Sequence, residues 1–470
     1  MIFAATAILL LMSAWIVARM LGDAFNPDRD AVTMRNIFLL GFILFQLTST
    51  AYTLQTGQMD YMKIVYLDEP GMVFTLMALA FLILFMFFYS KGILAIRLAT
   101  RQTVPHAASV GGLFAAAIGC VVVGLVFRYV LTQVPILGVL TAQMSVGALS
   151  AACGLVMWAW ARDARNFMLL VSALAVVLFC CGILLSEAWS RREITTLFLA
   201  TIWAGYWSRW RYGARAQLVT RGLSIGAVGF MVVLFLSASR TATTERFSLT
   251  DYLNKFAAVS PDRLQEAALG IANGQFAGAN SLWVIENYPS NFNYTPFHSL
   301  IYYATNPIPR VIYPGKPDPL GTRMIKEAGV SKVAGEFSFG PGIIGHITTD
   351  FPYVSLPLYA FLLALAFRFM DDRCRWWFND PFIVVPIGCA ATQVLAFSRG
   401  ELGLFAFQAT SSILGAWLAI KIAARWFWYD DSASYQDDPD AAHGDEGGES
   451  ASDPEGEPRD LGANLAGSGA

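Results

Sequence analysis

Long apolar blocks joined by short polar stretches set the pattern of this chain. A helix that crosses the hydrocarbon core of a bilayer needs about 20 residues. Eleven blocks reach or approach that length: 2–21, 36–54, 71–90, 108–131, 136–160, 167–187, 194–208, 222–239, 352–369, 381–397 and 403–424. The seventh is short, and the joint between the fourth and fifth is tight. The pattern predicts an all-α integral membrane protein of about 11 transmembrane helices. Residues 1–239 hold about eight spans, 352–428 hold about three, and 240–351 form the one large polar region between them. The first block has no basic leader and no small-residue cleavage site, so it reads as a retained span. Gly222 and Gly226, at the start of the eighth helix, predict close helix packing.

Composition supports this reading and then complicates it. Charged residues make up 14% of the chain, against about 25% in soluble domains. Mean hydropathy is +0.51. The net charge of −2 conceals an asymmetry, because 12 acids and one base (Arg459) lie from Asp430 onward. The rest of the chain carries 31 bases against 22 acids, which suits contact with anionic headgroups. The acidic tail, 429–470, has too few apolar residues to bury and is expected to be disordered.

Basic residues in short loops orient the spans. One alternating set of loops holds Arg29, Arg35, Lys91, Arg97, Arg101, Arg162, Arg165, Arg209, Arg211, Arg215, Arg221, Arg373, Arg375, Lys421 and Arg425. The other set holds only Lys63, Arg191, Arg192 and Arg399. The first set is expected in the cytoplasm, which places the N-terminus and the 240–351 region outside and the acidic tail inside. Within that region, Ser260 followed by Pro261 predicts a capped helix start.

Several chemistries are absent from the sequence. There is no Walker A loop, no GxGxxG opening a helix, no HExxH and no GxSxG. Five cysteines (120, 153, 180, 181 and 389) lie in apolar blocks and Cys374 in a short basic loop; their spacing supports neither a disulfide framework nor a zinc site. Two acidic triplets, Asp28-Arg-Asp30 and Asp438-Pro-Asp440, are short enough to arise by chance. Ionisable residues are sparse within the spans; Arg128, Glu187, Glu193 and Arg399 sit near expected outer ends.

The outer bases are therefore the candidates for chemistry: Arg240, Arg246, Lys255, Arg263, Arg310, Lys316, Arg323, Lys326, Lys332 and Arg399. Five prolines and three cations crowd the stretch NPIPRVIYPGKPDPLGTR, 306–323. Proline excludes helix there, and a planar guanidinium grips phosphate oxygens in pairs. Arginines at helix ends also snorkel to ordinary lipid headgroups. His298 and His346 are the outward-facing histidines, and each is equally at home as a hydrogen-bonded helix-end residue.

PIPRVIYPGKP (307–317), followed by GEFSFGPGIIGHITTDF (335–351), resembles the outer-loop signature of bacterial oligosaccharide repeat unit polymerases, the Wzy-type O-antigen and exopolysaccharide polymerases. The resemblance covers residues 298–402, and the first 230 match only as generic spans. It departs from the family pattern at His346, where a glutamate is expected in GxxGE. The resemblance implies a GT-C-like polytopic glycosyltransferase of the bacterial inner membrane, with one large periplasmic loop as its active face. Its substrates would be oligosaccharides on undecaprenyl pyrophosphate, its surroundings membrane lipids, with a chain-length regulator as a further partner and no nucleic acid. Arg310, Lys316, Arg240, Arg399 and Arg323 would bind the pyrophosphate, and His346 or Glu336 would take the acceptor proton. Trp283, Tyr288, Phe292, Tyr294 and Phe297 would stack on sugars. Fixed cations would carry the leaving-group charge, so neither a metal nor a cofactor is expected. An O-antigen ligase and a lipid-linked oligosaccharide flippase are the alternatives.

Overall fold

The computed structural model describes every residue except 60–61, 101–107, 135–136, 188–190, 239–258, 331–338 and 428–470. The described residues are helical, with no strand among them. In chain order we label α1 (Ile2–Phe25), α2 (Met34–Thr56), α3 (Asp68–Ser90), α4 (Ile93–Ala99), α5 (Val110–Gln133), α6 (Gly138–Arg162), α7 (Phe167–Glu187), α8 (Arg191–Ser208) and α9 (Arg215–Ala238). The remainder are α10 (Pro261–Ala272), α11 (Ala277–Asn287), α12 (His298–Thr305), α13 (Leu320–Glu327), α14 (Gly342–Thr349), α15 (Pro352–Trp376), α16 (Pro381–Ala396) and α17 (Leu402–Phe427).

Nine described helices are long and apolar enough to cross a membrane: α1, α2, α3, α5, α6, α7, α9, α15 and α17. The other two expected spans are also helices, but weaker ones. α8 opens on Arg191-Arg192-Glu193, and α16 is broken around Gly388 into two short pieces. The expected ranges thus all fall on helices, while membrane-crossing length and apolarity hold for nine. α15 runs seven residues past its expected end, so Cys374 lies on its last turn and not in a loop.

Apolar side chains gain little by moving from lipid to a helix interface, so close packing and buried polar bonds must hold the bundle. α6 is the central helix, and its small residues (SVGALSAACG) are buried throughout. A methyl at Gly147 would overlap the Ser412 carbonyl, and one at Gly415 would overlap Met144 backbone; α6 and α17 therefore cross backbone to backbone. Beside them, α2, α3 and α15 share a ring cluster in which Phe38 sits 5.0 Å from Phe85 and 5.3 Å from Phe367. Gly222 and Gly226 on α9 behave otherwise than expected. A methyl at either would meet nothing within 4 Å, because α9 is the least embedded of the long helices.

Charge is buried at one end of the bundle. Asp371 on α15 accepts from the Met34 and Arg35 amides (2.6 and 3.2 Å) and from the Tyr89 hydroxyl (2.7 Å). Arg35 pairs with Asp23. Asp30 is held by Arg211 at 2.8 Å and by Arg375 at 3.0 Å. Arg373 and Arg215 reach the carbonyls of Ala99 and Pro27, each at 2.7 Å. These bonds gather loops of the strongly basic set at a common end and extend α15 past the apolar block. At the opposite end, Arg128 pairs with Glu193 at 3.7 Å, and Arg192 covers the ring of Phe405 at 4.8 Å.

The Asp28-Arg-Asp30 triplet can now be divided. Asp30 is buried between two arginines, whereas Asp28 is exposed. Asp30→Ala should destabilise the protein by about 3 kcal/mol, as expected for removing one partner of a buried ion pair, and Asp28→Ala by no more than about 0.5 kcal/mol. Thermal unfolding in detergent, followed by tryptophan fluorescence, measures both. Equal effects would mean that Asp30 has no structural role.

Candidate functional site

Helices α10 to α14 form a layer over the end of the bundle that carries Arg399. Ser260 caps α10 as its sequence predicts, accepting from the Arg263 amide at 3.4 Å. α11 then drops against α2: the Ser49 hydroxyl bonds the Asn273 carbonyl at 2.6 Å and accepts from the Gly278 amide at 3.0 Å. Met62, Trp283, Val284, Tyr288, Leu320 and Met324 make a small core in this layer, with Phe292 and Tyr294 at its edge. Two of the expected sugar platforms, Trp283 and Tyr288, belong to this core, and Tyr288 also contributes to the lining of the groove described below. The Tyr288 hydroxyl is engaged by Glu327 at 2.6 Å. Tyr294 faces outward, and Phe297 is exposed on a different side.

The 306–323 stretch satisfies much of its own charge. Arg310 donates to the Lys316 carbonyl (3.1 Å) and pairs with Asp318 (2.6 Å), which also holds Lys326 (2.7 Å). The Lys316 ammonium turns inward to the carbonyls of Asn306 (2.6 Å) and Ile308 (3.2 Å) at the end of α12. Partial burial and the neighbouring Arg310 lower its pKa. Arg323 pairs with Glu327 at 2.6 Å, bonds Thr295 at 2.9 Å and lies 5.6 Å over the Tyr288 ring. Arg310 is the cation among these three that keeps half its surface open. Arg399 lies 5.9 Å over the Phe45 ring. Arg240 and Glu336 fall outside the described residues.

His346 lies on α14 and is 1% exposed. Its Nδ1 meets the Ser299 hydroxyl at 2.8 Å, and its Nε2 accepts from the Leu402 amide at 3.2 Å. Burial, reinforced by His298, depresses its pKa to about 3, so the ring is neutral. Beside it, at 3.6 Å, is Glu401, whose carboxylate accepts from the Leu320 amide (3.1 Å) and the Gly321 amide at the start of α13. Burial raises Glu401 to about 7, against the opposing pull of those two amides. Asp350 accepts from the Ser299 amide at 2.9 Å and from the Tyr359 hydroxyl. Burial raises its pKa as well. This knot binds α12, α13, α14, α15 and α17 together, and protein atoms occupy both His346 nitrogens. Glu401 is the member that sequence reasoning passes over, although it stands two residues after Arg399.

A groove of about 830 Å³ opens between α3, α11 and α15. Its upper part presents Tyr66, Glu69, Glu286, Ser290, Tyr294 and Tyr353. Glu286 is partly engaged, accepting from the amides of Val65 (2.9 Å) and Tyr66 (3.2 Å). Lower down, Val73, Met77, Leu356 and Pro357 line it from two membrane-length helices. Its described lining thus holds two carboxylates and no cation. Aromatic faces and carboxylate acceptors are groups that hold the C–H faces and hydroxyls of a sugar, and the lower walls suit an aliphatic chain. Thr348, on the wall, is two residues from His346. The cation stretch, the His346 knot and the groove are three neighbourhoods around α13 and α14, not one pocket.

The chain matches no family model, no curated protein and no solved structure.

The two shifts in the knot have opposite consequences for stability. Glu401, raised from 4.5 to about 7, stabilises the fold below about pH 4.5 and loses that contribution as pH rises through 7. His346, lowered from 6.5 to about 3, contributes fully above pH 6.5 and loses it as pH falls. The trends offset one another between about pH 4.5 and 6.5. His346→Gln should leave a melting temperature that falls as pH rises from 5 to 7.5, and Glu401→Gln one that falls as pH drops below 6.5. Melting curves across pH test this; identical slopes in both variants would refute it.

Proposed function

We propose that this protein is a membrane glycosyltransferase that polymerises undecaprenyl-pyrophosphate-linked oligosaccharide repeat units at the outer face of a bacterial cytoplasmic membrane. The observation that carries the reading is the groove. Aromatic rings and carboxylates at its upper level give way to apolar walls on two membrane-length helices, which matches a glycan head on a lipid tail. The likeness of 307–317 and 335–351 to the polymerase signature supports the same reading.

In this reading the groove takes the acceptor glycan, because its two carboxylates disfavour a diphosphate there. The donor diphosphate is assigned to the cations Arg310, whose exchangeable partner is Asp318, Arg399 and Arg323, with Arg240 added from the resemblance alone; the donor sugar then meets an acceptor end reaching out of the groove. Lys316 shapes the loop through its two carbonyl bonds. An acceptor hydroxyl oxygen attacks the anomeric carbon of the donor sugar, and the bond from that carbon to the diphosphate oxygen breaks. The electron pair leaves on the diphosphate, where fixed positive charge lowers the barrier. The hydroxyl proton passes to a carboxylate within hydrogen-bond reach. Glu69 is assigned that role, since the Glu286 carboxylate already accepts two amides; Glu336, from the resemblance, is the other candidate. His346, with both nitrogens engaged, is assigned to holding the layer together. A single displacement inverts the anomeric centre.

The test uses purified protein with synthetic lipid-linked repeat units. Elongation should give a ladder of products. Glu69→Gln should reduce its rate about 10²-fold or more, and Arg310→Ala should reduce it about 10-fold to 10³-fold, with melting temperatures unchanged. A normal ladder from Glu69→Gln would remove the base assignment. Movement of lipid between leaflets without elongation would overturn the enzymatic reading altogether.

A further inference from the structure

The 306–319 stretch has its polarity inverted relative to a loop in water. Its ammonium turns toward the chain's own carbonyls, and its guanidinium, half exposed, is paired with Asp318 and the Lys316 carbonyl. Its apolar side chains point away: Val311 is 93% exposed and Ile312 58%. A loop surrounded by water gains by the opposite arrangement, because exposed aliphatic surface is unfavourable there. The exposed apolar surface also continues backward along α12. Ile301 on α12 is exposed, as are Phe297 just before the helix and Ile308 just after it, so apolar surface flanks and continues into Val311 and Ile312.

What covers this surface follows from its neighbour. Among the described side chains of α17 the exposed residues are Thr410, Leu414, Trp417 and Lys421, a single face of a helix long and apolar enough to cross a membrane. That face meets lipid. Thr410 is its uppermost member, eight residues below Leu402, or about 12 Å along the helix axis. The Tyr303 hydroxyl reaches Thr410 at 3.5 Å, and a methyl added at Gly403 would touch the Tyr302 ring and the Tyr303 amide at 3.1 Å. α12 therefore lies against the top of α17, and the apolar surface around it adjoins the lipid-facing one.

We infer that α12 and the 306–313 tip form an interfacial wedge, with Val311 and Ile312 inserted into the leaflet adjoining the α10–α14 layer. The occupant of this face is bilayer lipid. Prolines 307, 309 and 314 fix the tip without helix; Lys316 is folded onto chain carbonyls, and half-exposed Arg310, paired with Asp318, stays at headgroup level while the aliphatic side chains go deeper. The inference rests on the membrane-spanning reading of α17 and is independent of the catalytic one.

The experiment uses the full chain in nanodiscs, with Val311→Cys carrying an environment-sensitive NBD fluorophore. The unsubstituted protein, whose six cysteines are buried or half-buried, supplies the labelling background. A group about 5–10 Å into the headgroup–acyl boundary should be quenched about twofold by lipid doxyl-labelled near the headgroup, and little by aqueous iodide. Strong quenching by iodide with none by doxyl lipid would put the tip in water and overturn the wedge. Protection from both quenchers would mean that protein covers the tip, a second copy being the simplest case, and would overturn it equally. Because Val311 has almost no neighbours, the substitution leaves the fold intact.

Discussion

One carboxylate joins the two parts of this protein. Glu401 stands at the head of α17 and accepts the first amides of α13, 80 and 81 residues earlier in the chain. The Ser49 bonds tie α11 to α2, and Glu401 adds a tie at α13 on the other side of the layer. With Glu401 in place, the end of the proline-rich stretch is fixed to a membrane-length helix, and His346 and Ser299 fix α14 and α12 to the same point. Leaving a buried polar group without its partner costs about 1–3 kcal/mol, so the bonds of the knot help to hold the layer against the bundle.

The bilayer explains why the bonds are where they are. Between helices in lipid, apolar contact is replaced by apolar contact, so specificity falls to close backbone crossings and to polar groups that need each other. Gly147 and Gly415 supply the first, and Asp371, Asp30 and their arginines supply the second. The same solvent inverts the logic of the 306–319 loop, in which charge is folded inward and aliphatic surface outward.

Much of the helical layout was legible in the sequence because a span is a local property: each expected range needs only its own residues. The Ser260-Pro261 start was legible for the same reason. Asp30, Glu401 and the groove were not, because their partners are distant in the chain. Arg375 lies 345 residues from Asp30, and the groove draws on α3, α11 and α15. Charge counting marked Arg310, Lys316 and Arg323 as cations but could not tell that Lys316 and Arg323 are engaged inside the fold. Scarcity of histidine drew attention to His346, while the local pattern carried no sign that Leu402 and Ser299 close around it. The apolar residues around α12 were readable in the sequence, but they acquire meaning only beside the exposed face of α17.

The acidic lining of the groove has a consequence for selectivity. Like charges repel, and exposure to water weakens that repulsion without reversing its sign. With Glu69 and Glu286 on its upper wall, the groove therefore discriminates by charge before shape. On the proposed reading, repeat units bearing uronic acids or phosphate substituents would bind there more weakly than neutral or amino-sugar units.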